Sequence, residues 1–220
     1  MDVHYPYAEG IARLRLLYRL PLPLSTSRLI QVCEGGAPVS VWAGSVERVS
    51  VEALLRGAVE VQPGVDAVAL PGTWDIARTG VDAAAVLFAA HRLLRPGGVV
   101  LGHCENVLAL RALCSVAGWR RLLRSALGRG HAATARGYMR TMAVAGFESV
   151  ECSFVQPHLA DPMGLIPTDT AAARAQFLRV TRAERGHFNA AAYAARIGLA
   201  WAGLGGVQQG HLFFWGYKAC

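Results

Sequence analysis

His103, Cys104 and Glu105 stand side by side just after an apolar run, and of all the residues in the chain they are the best equipped for proton chemistry. A free imidazole titrates near neutrality, so His103 could take a proton from a hydroxyl, amine or thiol as a general base. A second group, Pro71, Gly72, Thr73, Trp74 and Asp75, also follows an apolar run. A third, Glu34-Gly35-Gly36, places two adjacent glycines where a backbone could approach a ligand closely. A plainer reading gives His103 a hydrogen bond within a loop and Trp74 a packing role; both readings stand on the sequence. His131, His158 and His187 are isolated, and no HxH, HxxxH or Cys/His grouping has the spacing of a metal site, so no metal is expected.

The elements that must position these residues are clearest from Val65 to Asn106. Val65 to Leu70 is an apolar run of the kind a strand buried on both faces requires, ended by Pro71-Gly72. From Val81 to Leu94, Val81, Ala84, Leu87, Phe88 and Leu94 recur at helical spacing, with Asp82 near the positive end and Arg92 and Arg95 near the negative end. Pro96 cannot continue the helix, Gly97-Gly98 turns the chain, and Val99-Val100-Leu101 starts another buried strand. This is one βαβ unit, and it implies a parallel sheet.

The stretch resembles the second half of the class I S-adenosylmethionine-dependent methyltransferase fold. DAVALPGTWD is similar to the family's fourth strand and loop, and HRLLRPGGVVLGHCEN to its helix, LxPGG turn and fifth strand. Gly137 to Val155 resembles the following helix, AGF turn and sixth strand, and His211 to Lys218 the closing seventh strand. The resemblance covers roughly residues 65 to 220 and is carried by the ordered set of motifs. It implies an α/β fold, a doubly wound and mostly parallel sheet, with a helical insertion before the last strand, in a single domain over 1–220.

The N-terminal half departs from the family's pattern. The candidate first strand, Arg28 to Cys33, carries Gln31 where an acidic residue is usual, and Glu34-Gly35-Gly36 lacks the spaced glycine motif. Val39 to Trp42 follows as a candidate second strand with no carboxylate at its end for a ribose diol. Between Cys33 and Asp66 there is too little chain for two strands and two helices, because a crossover takes about a dozen residues. One helix of the usual set is therefore expected to be missing or reduced to a turn. Ser45 is expected to cap the helix that follows, with Val46, Val49, Ala53 and Leu54 inward and Glu47 and Glu52 solvated.

Residues 156 to 206 form the insertion, read as a helical cover. It opens with an irregular, proline-rich run, QPHLADPMGLIPTD. Two helices follow, one capped by Thr170 and running to about Arg182, the other capped by Asn189 with Tyr193, Ile197, Trp201 and Leu204 as its apolar stripe. Ile11 to Leu20 and Trp119 to Arg129 combine Arg with Leu and aromatics. Each could lie on an anionic membrane surface or meet a lipophilic substrate, or be an ordinary surface helix.

At 220 residues, with 53% hydrophobic content, the chain can bury a full core. Its net charge of +7 is spread as arginine over many segments, without an RNP-like strand or dominant basic block, and nucleic-acid binding is not expected. Five cysteines form no CxxC pair and two fall in predicted buried strands, which with no secretory signal points to a reducing cytoplasm. Ile197 to Tyr217 is uncharged and long enough to span a bilayer, but glycines, glutamines and His211 break it into a helix end and a strand.

The resemblance implies a methyltransferase acting on a small molecule, a lipophilic one as the finer expectation, with S-adenosylmethionine held by Glu34, Gly35, Gly36, Pro71, Gly72, Thr73 and Trp74, and with His103 as catalytic base. The shortened N-terminal half keeps an alternative open, a methyltransferase-like protein that has lost its cofactor and serves as a scaffold or partner subunit. A protein partner or a homodimer is compatible with either.

Overall fold

The computed structural model of the chain describes residues 22, 28–32, 45–57, 64–70, 82–106, 134–158, 161–168, 170–187, 189–208 and 211–220. These build a seven-stranded sheet in the order β2-β1-β3-β4-β7-β5-β6. The strands are β1 (Arg28–Val32), β2 (Ser45–Val49), β3 (Val65–Leu70), β4 (Leu94–Glu105), β5 (Phe147–His158), β6 (Asp161–Pro167) and β7 (His211–Lys218). The helices are α1 (Val51–Arg56), α2 (Ala83–Leu93), α3 (Ala135–Val144), α4 (Thr170–Ala183) and α5 (Ala190–Trp201). β2, β1, β3 and β4 pair in parallel, while β7 runs antiparallel between β4 and β5, and β6 antiparallel to β5. All strands but β6 and β7 thus share one direction, and the chain winds outward both ways from β1 and β3. The expected doubly wound, mostly parallel α/β sheet with a helical segment before the last strand is the observed architecture.

Alternation along the strands sends successive side chains to opposite faces. Ile30, Val68, Leu70, Val100, Leu212 and Phe214 form one buried cluster with Val51 and Leu54 of α1, Val86, Leu87 and Ala90 of α2, and Tyr138 and Met142 of α3. Leu29, Ala67, Ala69, Val99, Leu101, Val155 and Phe213 make a second cluster on the other face. Caps follow the sequence signals: the Asp82 carboxylate accepts from the Ala84 N–H at 3.0 Å and the Asn189 side chain from the Ala192 N–H at 2.8 Å.

Several expectations are corrected. Ser45–Val49 is a strand parallel to β1, not a helix, and the helix cap is Ser50, whose hydroxyl accepts from the Ala53 N–H at 3.0 Å. Val46 and Val49, three apart, fit a helical stripe; in the strand they fall on opposite faces, Val49 in the first cluster and Val46 against the second, and hydrogen bonding to β1 decides for the strand. Glu47 and Glu52 are exposed, as expected. The six-residue α1 is the one helix between β1 and β3 among the described residues; residues 33–44, where a crossover helix would fall, lie outside them. Residues 39–42 lie outside the described residues.

The Pro96-Gly97-Gly98 turn sits inside β4 rather than before it. Pairing jumps from Val65↔Leu94 to Ala67↔Val99, so Arg95 to Gly98 loops out, with Gly97 at φ 71°. The loop is held by Asp66, a buried carboxylate that accepts from the Arg95 side chain and, at 2.8 Å, from the Arg28 N–H. On α2, Ala83, Val86, Leu87 and Ala90 face the core, and Phe88 is 45% exposed, contrary to its place in the predicted stripe. Lys218 of β7 donates to the carbonyls of His91 (3.0 Å) and Leu94 (2.7 Å), closing the carboxyl end of that helix.

The insertion does not open irregularly. β5 continues through His158 and pairs with β6 as a hairpin, because Val155↔Leu165 and Ser153↔Pro167 extend the ladder past the start of β7. α4 and α5 follow at the predicted places. On α5 the buried residue is Ala200, whereas Trp201 and Leu204 are 58% and 52% exposed, so the predicted stripe is displaced from the packed face.

Candidate functional site

Parallel strands deliver their carboxyl ends to one edge, and in a doubly wound sheet the crevice opens where the winding reverses. Here that point lies between β1 and β3. Val32 of β1 is in register with Val49 of β2, and Leu70 of β3 pairs with Gly102 of β4, so the four carboxyl ends make one mouth. Glu34, Gly35 and Gly36 follow β1 in sequence, and Pro71, Gly72, Thr73 and Trp74 follow β3; these predicted cofactor residues lie outside the described residues.

His103 is described, and it lies within β4 rather than in a loop. It pairs with Phe213 of β7, two residues on from Leu101, on the face away from α2 and α3. Its side chain is half-buried. Burial, and then the charge of nearby His211, pushes its pKa down to about 4. The imidazole is therefore neutral and only weakly basic at physiological pH.

Gly102 shows why the strand narrows here. A Cβ on it would fall 2.5 Å from the Leu70 carbonyl oxygen and 2.6 Å from the Phe214 ring, which itself stacks on Tyr138 at 4.7 Å. Only glycine lets β3, β4 and that ring meet.

Two groups at the mouth carried no assigned role in the sequence. Asn106, buried directly after β4, donates from Nδ2 to the Gly206 carbonyl at 3.0 Å and so ties the strand end to the end of the insertion. Gly206 lies against the Phe154 ring and Gly205 against Phe177, which leaves no room for a side chain at either. A glycine pair after an apolar helix was the available signal. The second group is Glu52: with β2 at Ser45–Val49, it stands three residues beyond the strand's carboxyl end, exposed and ion-paired with Arg56. Glu52 is helical and solvated, as expected from the sequence, and the shift of the strand brings it closer to the strand's end.

Cys152 is buried in β5 and its thiol is pushed up to about 12 by burial, the behaviour of an apolar filler. Among the described residues no three His, Cys, Asp or Glu side chains gather as metal ligands, and no helix is long and apolar enough to cross a membrane. The segments Ile11 to Leu20 and Trp119 to Arg129 lie outside the described residues.

No family model matches the sequence, and no curated protein does. Solved structures match the fold. A S-adenosylmethionine-dependent methyltransferase from Archaeoglobus fulgidus aligns with a TM-score of 0.53 at 10% identity, over 97% of this chain and 96% of that one. Phosphoethanolamine N-methyltransferase 2 of Haemonchus contortus, solved with phosphomonomethylethanolamine and S-adenosylhomocysteine, aligns with a TM-score of 0.52 at 14% identity over 95% of this chain. The same enzyme with S-adenosyl-L-methionine gives the same values. The chain spans about half the length of the Haemonchus protein, 53%. Strand order, winding and these alignments together show that the chain has the class I methyltransferase fold.

Proposed function

We propose that the chain is a S-adenosylmethionine-dependent methyltransferase acting on a small molecule, with a lipophilic acceptor as the finer expectation. The observation that carries this reading is the common mouth at the carboxyl ends of β2, β1, β3 and β4, where Glu52, His103 and Asn106 stand. The described residues fit an adenosyl group there in one respect of chemistry: an exposed carboxylate after β2 suits hydroxyl donors such as a ribose diol. Glu34 to Gly36 and Pro71 to Trp74 would complete the cradle from the ends of β1 and β3.

When bound, the cofactor supplies an electrophilic methyl group on a sulfonium. Such a transfer asks mainly for in-line positioning of the acceptor. His103, neutral down to about pH 4, accepts a hydrogen bond or a proton from the acceptor. The α4–α5 pair, whose trailing Gly206 is tied to the end of β4 by Asn106, covers the acceptor and keeps water away.

Thermal unfolding with S-adenosylmethionine and S-adenosylhomocysteine tests the reading. Ligand at a hundred times its dissociation constant stabilises a fold by about 2.7 kcal/mol. No shift at millimolar concentrations of either would end the proposal. Glu52→Gln should weaken cofactor binding about tenfold, the worth of one charge-assisted hydrogen bond. With a substrate in hand, His103→Ala should lower turnover by about a hundredfold and leave cofactor binding intact.

A further inference from the structure

The α4–α5 pair carries surface features that methyl transfer does not use. From Thr170 to Ala183, α4 holds no acidic residue. Arg174, Arg179 and Arg182 are exposed on the face that Ala173, Phe177 and Thr181 leave to solvent, and among the described residues none of the three forms an ion pair. Arg185, just beyond, is exposed and lies over the Tyr193 ring at 5.6 Å. Arg196 of α5 is paired with Glu184 at 3.6 Å.

The exposed positions of α5 are Ala190, Ala191, Ala194, Ala195, Gly198 and Trp201, without a polar side chain among them, and Leu204 follows. Trp201 and Leu204 keep 58% and 52% of their surface in water. The two helices meet through Ala173, Phe177 and Ala200, which share one buried cluster with Ile166. Arg174 and Trp201 each come directly after an alanine of that cluster, so the cationic and apolar surfaces border the same seam.

We propose that this helical pair docks on an anionic lipid bilayer, with the α4 arginines at the headgroups and Trp201 and Leu204 in the interfacial layer. Charge complementarity selects this occupant. Guanidinium groups on long stems reach lipid phosphates and carboxylates, and an indole beside an aliphatic side chain gains by leaving water at the same depth. A second copy of the chain would set arginine against arginine. A nucleic acid would satisfy the arginines and leave Leu204 and the alanine face of α5 without an apolar phase. The inference rests on this surface alone and stands or falls apart from the methyl-transfer reading.

Sedimentation of the full chain with vesicles tests it, using phosphatidylcholine alone and phosphatidylcholine mixed with phosphatidylserine. Binding is expected to the mixed vesicles only and to weaken as salt is raised. The triple variant Arg174→Glu, Arg179→Glu, Arg182→Glu should lose at least about a hundredfold in affinity, and Trp201→Ser with Leu204→Ser on the order of tenfold. Melting curves should match the unaltered chain because every replaced residue is exposed. Should the triple variant fail to fold, single Arg→Gln replacements should each cost several-fold.

The proposal is overturned if the unaltered chain ignores phosphatidylserine, or if the folded arginine variants bind as well as it does, which would place the contact elsewhere. It is also overturned by tighter binding to duplex DNA than to the mixed vesicles at equal salt. A dimer that Trp201→Ser abolishes, in a chain that does not bind vesicles, would assign the surface to self-association.

Discussion

A single carboxylate, Asp66, holds the amino-terminal end of the sheet. It sits within an apolar strand, 6% exposed, and receives both the Arg95 guanidinium and the Arg28 backbone N–H, so it joins β1, β3 and the loop inside β4. Asp66→Ala removes both hydrogen bonds and should cost about 2 kcal/mol in a urea titration. His103 makes a pH-dependent contribution of known sign. Its folded pKa is lowered to about 4 from 6.5, so between those values the unfolded chain takes up a proton that the native chain refuses. Stability is complete above about pH 6.5 and falls as pH drops toward 4; His91, lowered by burial and by Lys218, adds in the same direction. In His103→Gln the urea midpoint should vary less with pH over that window, and an unchanged slope would show that His103 is not desolvated. The neighbourhood of His103 was legible in the sequence, since an apolar run leading into His-Cys-Glu places it near a strand end. The role of Asp66 was not, because its partner Arg95 lies far along the chain and only the register of β3 against β4 brings them together.

At the scale of elements, what was legible depended on whether one segment carried its own signal. β3 and β7 agree with their predicted limits, and α4 and α5 begin where Thr170 and Asn189 mark them. β2 was misread because SVERVS fits a helix as well as an edge strand, and the deciding hydrogen bonds belong to β1. β6 was missed because prolines at 162 and 167 hide a strand that pairs on one side with β5 and forms the sheet edge. The insertion's attachment is testable at this scale. Asn106→Ala removes the tie to Gly206, and amide hydrogen exchange should become faster in α4 and α5 while the β1–β3–β4 core keeps its protection. Equal exchange in both proteins would mean that Phe154 and Phe177 hold the insertion unaided. Gly102→Ala should be severe, about 2 kcal/mol or more, because the new methyl group meets backbone on one side and a buried ring on the other.

Across the whole molecule, the sheet is two pieces joined by its final strand. β7 hydrogen-bonds β4 on one side and β5 on the other, and Lys218 reaches back to seal α2. During synthesis, β1 to β4 and the β5–β6 hairpin therefore emerge well before the strand that unites them. Until residues 211–218 leave the ribosome, two open ladders wait with their amides and carbonyls turned outward, a state that invites pairing with other chains. A chain stopped before His211 should accordingly collect in the insoluble fraction, whereas one stopped after Lys218 should remain monodisperse. The sheet therefore becomes one piece only after β7 has been made and has entered between β4 and β5.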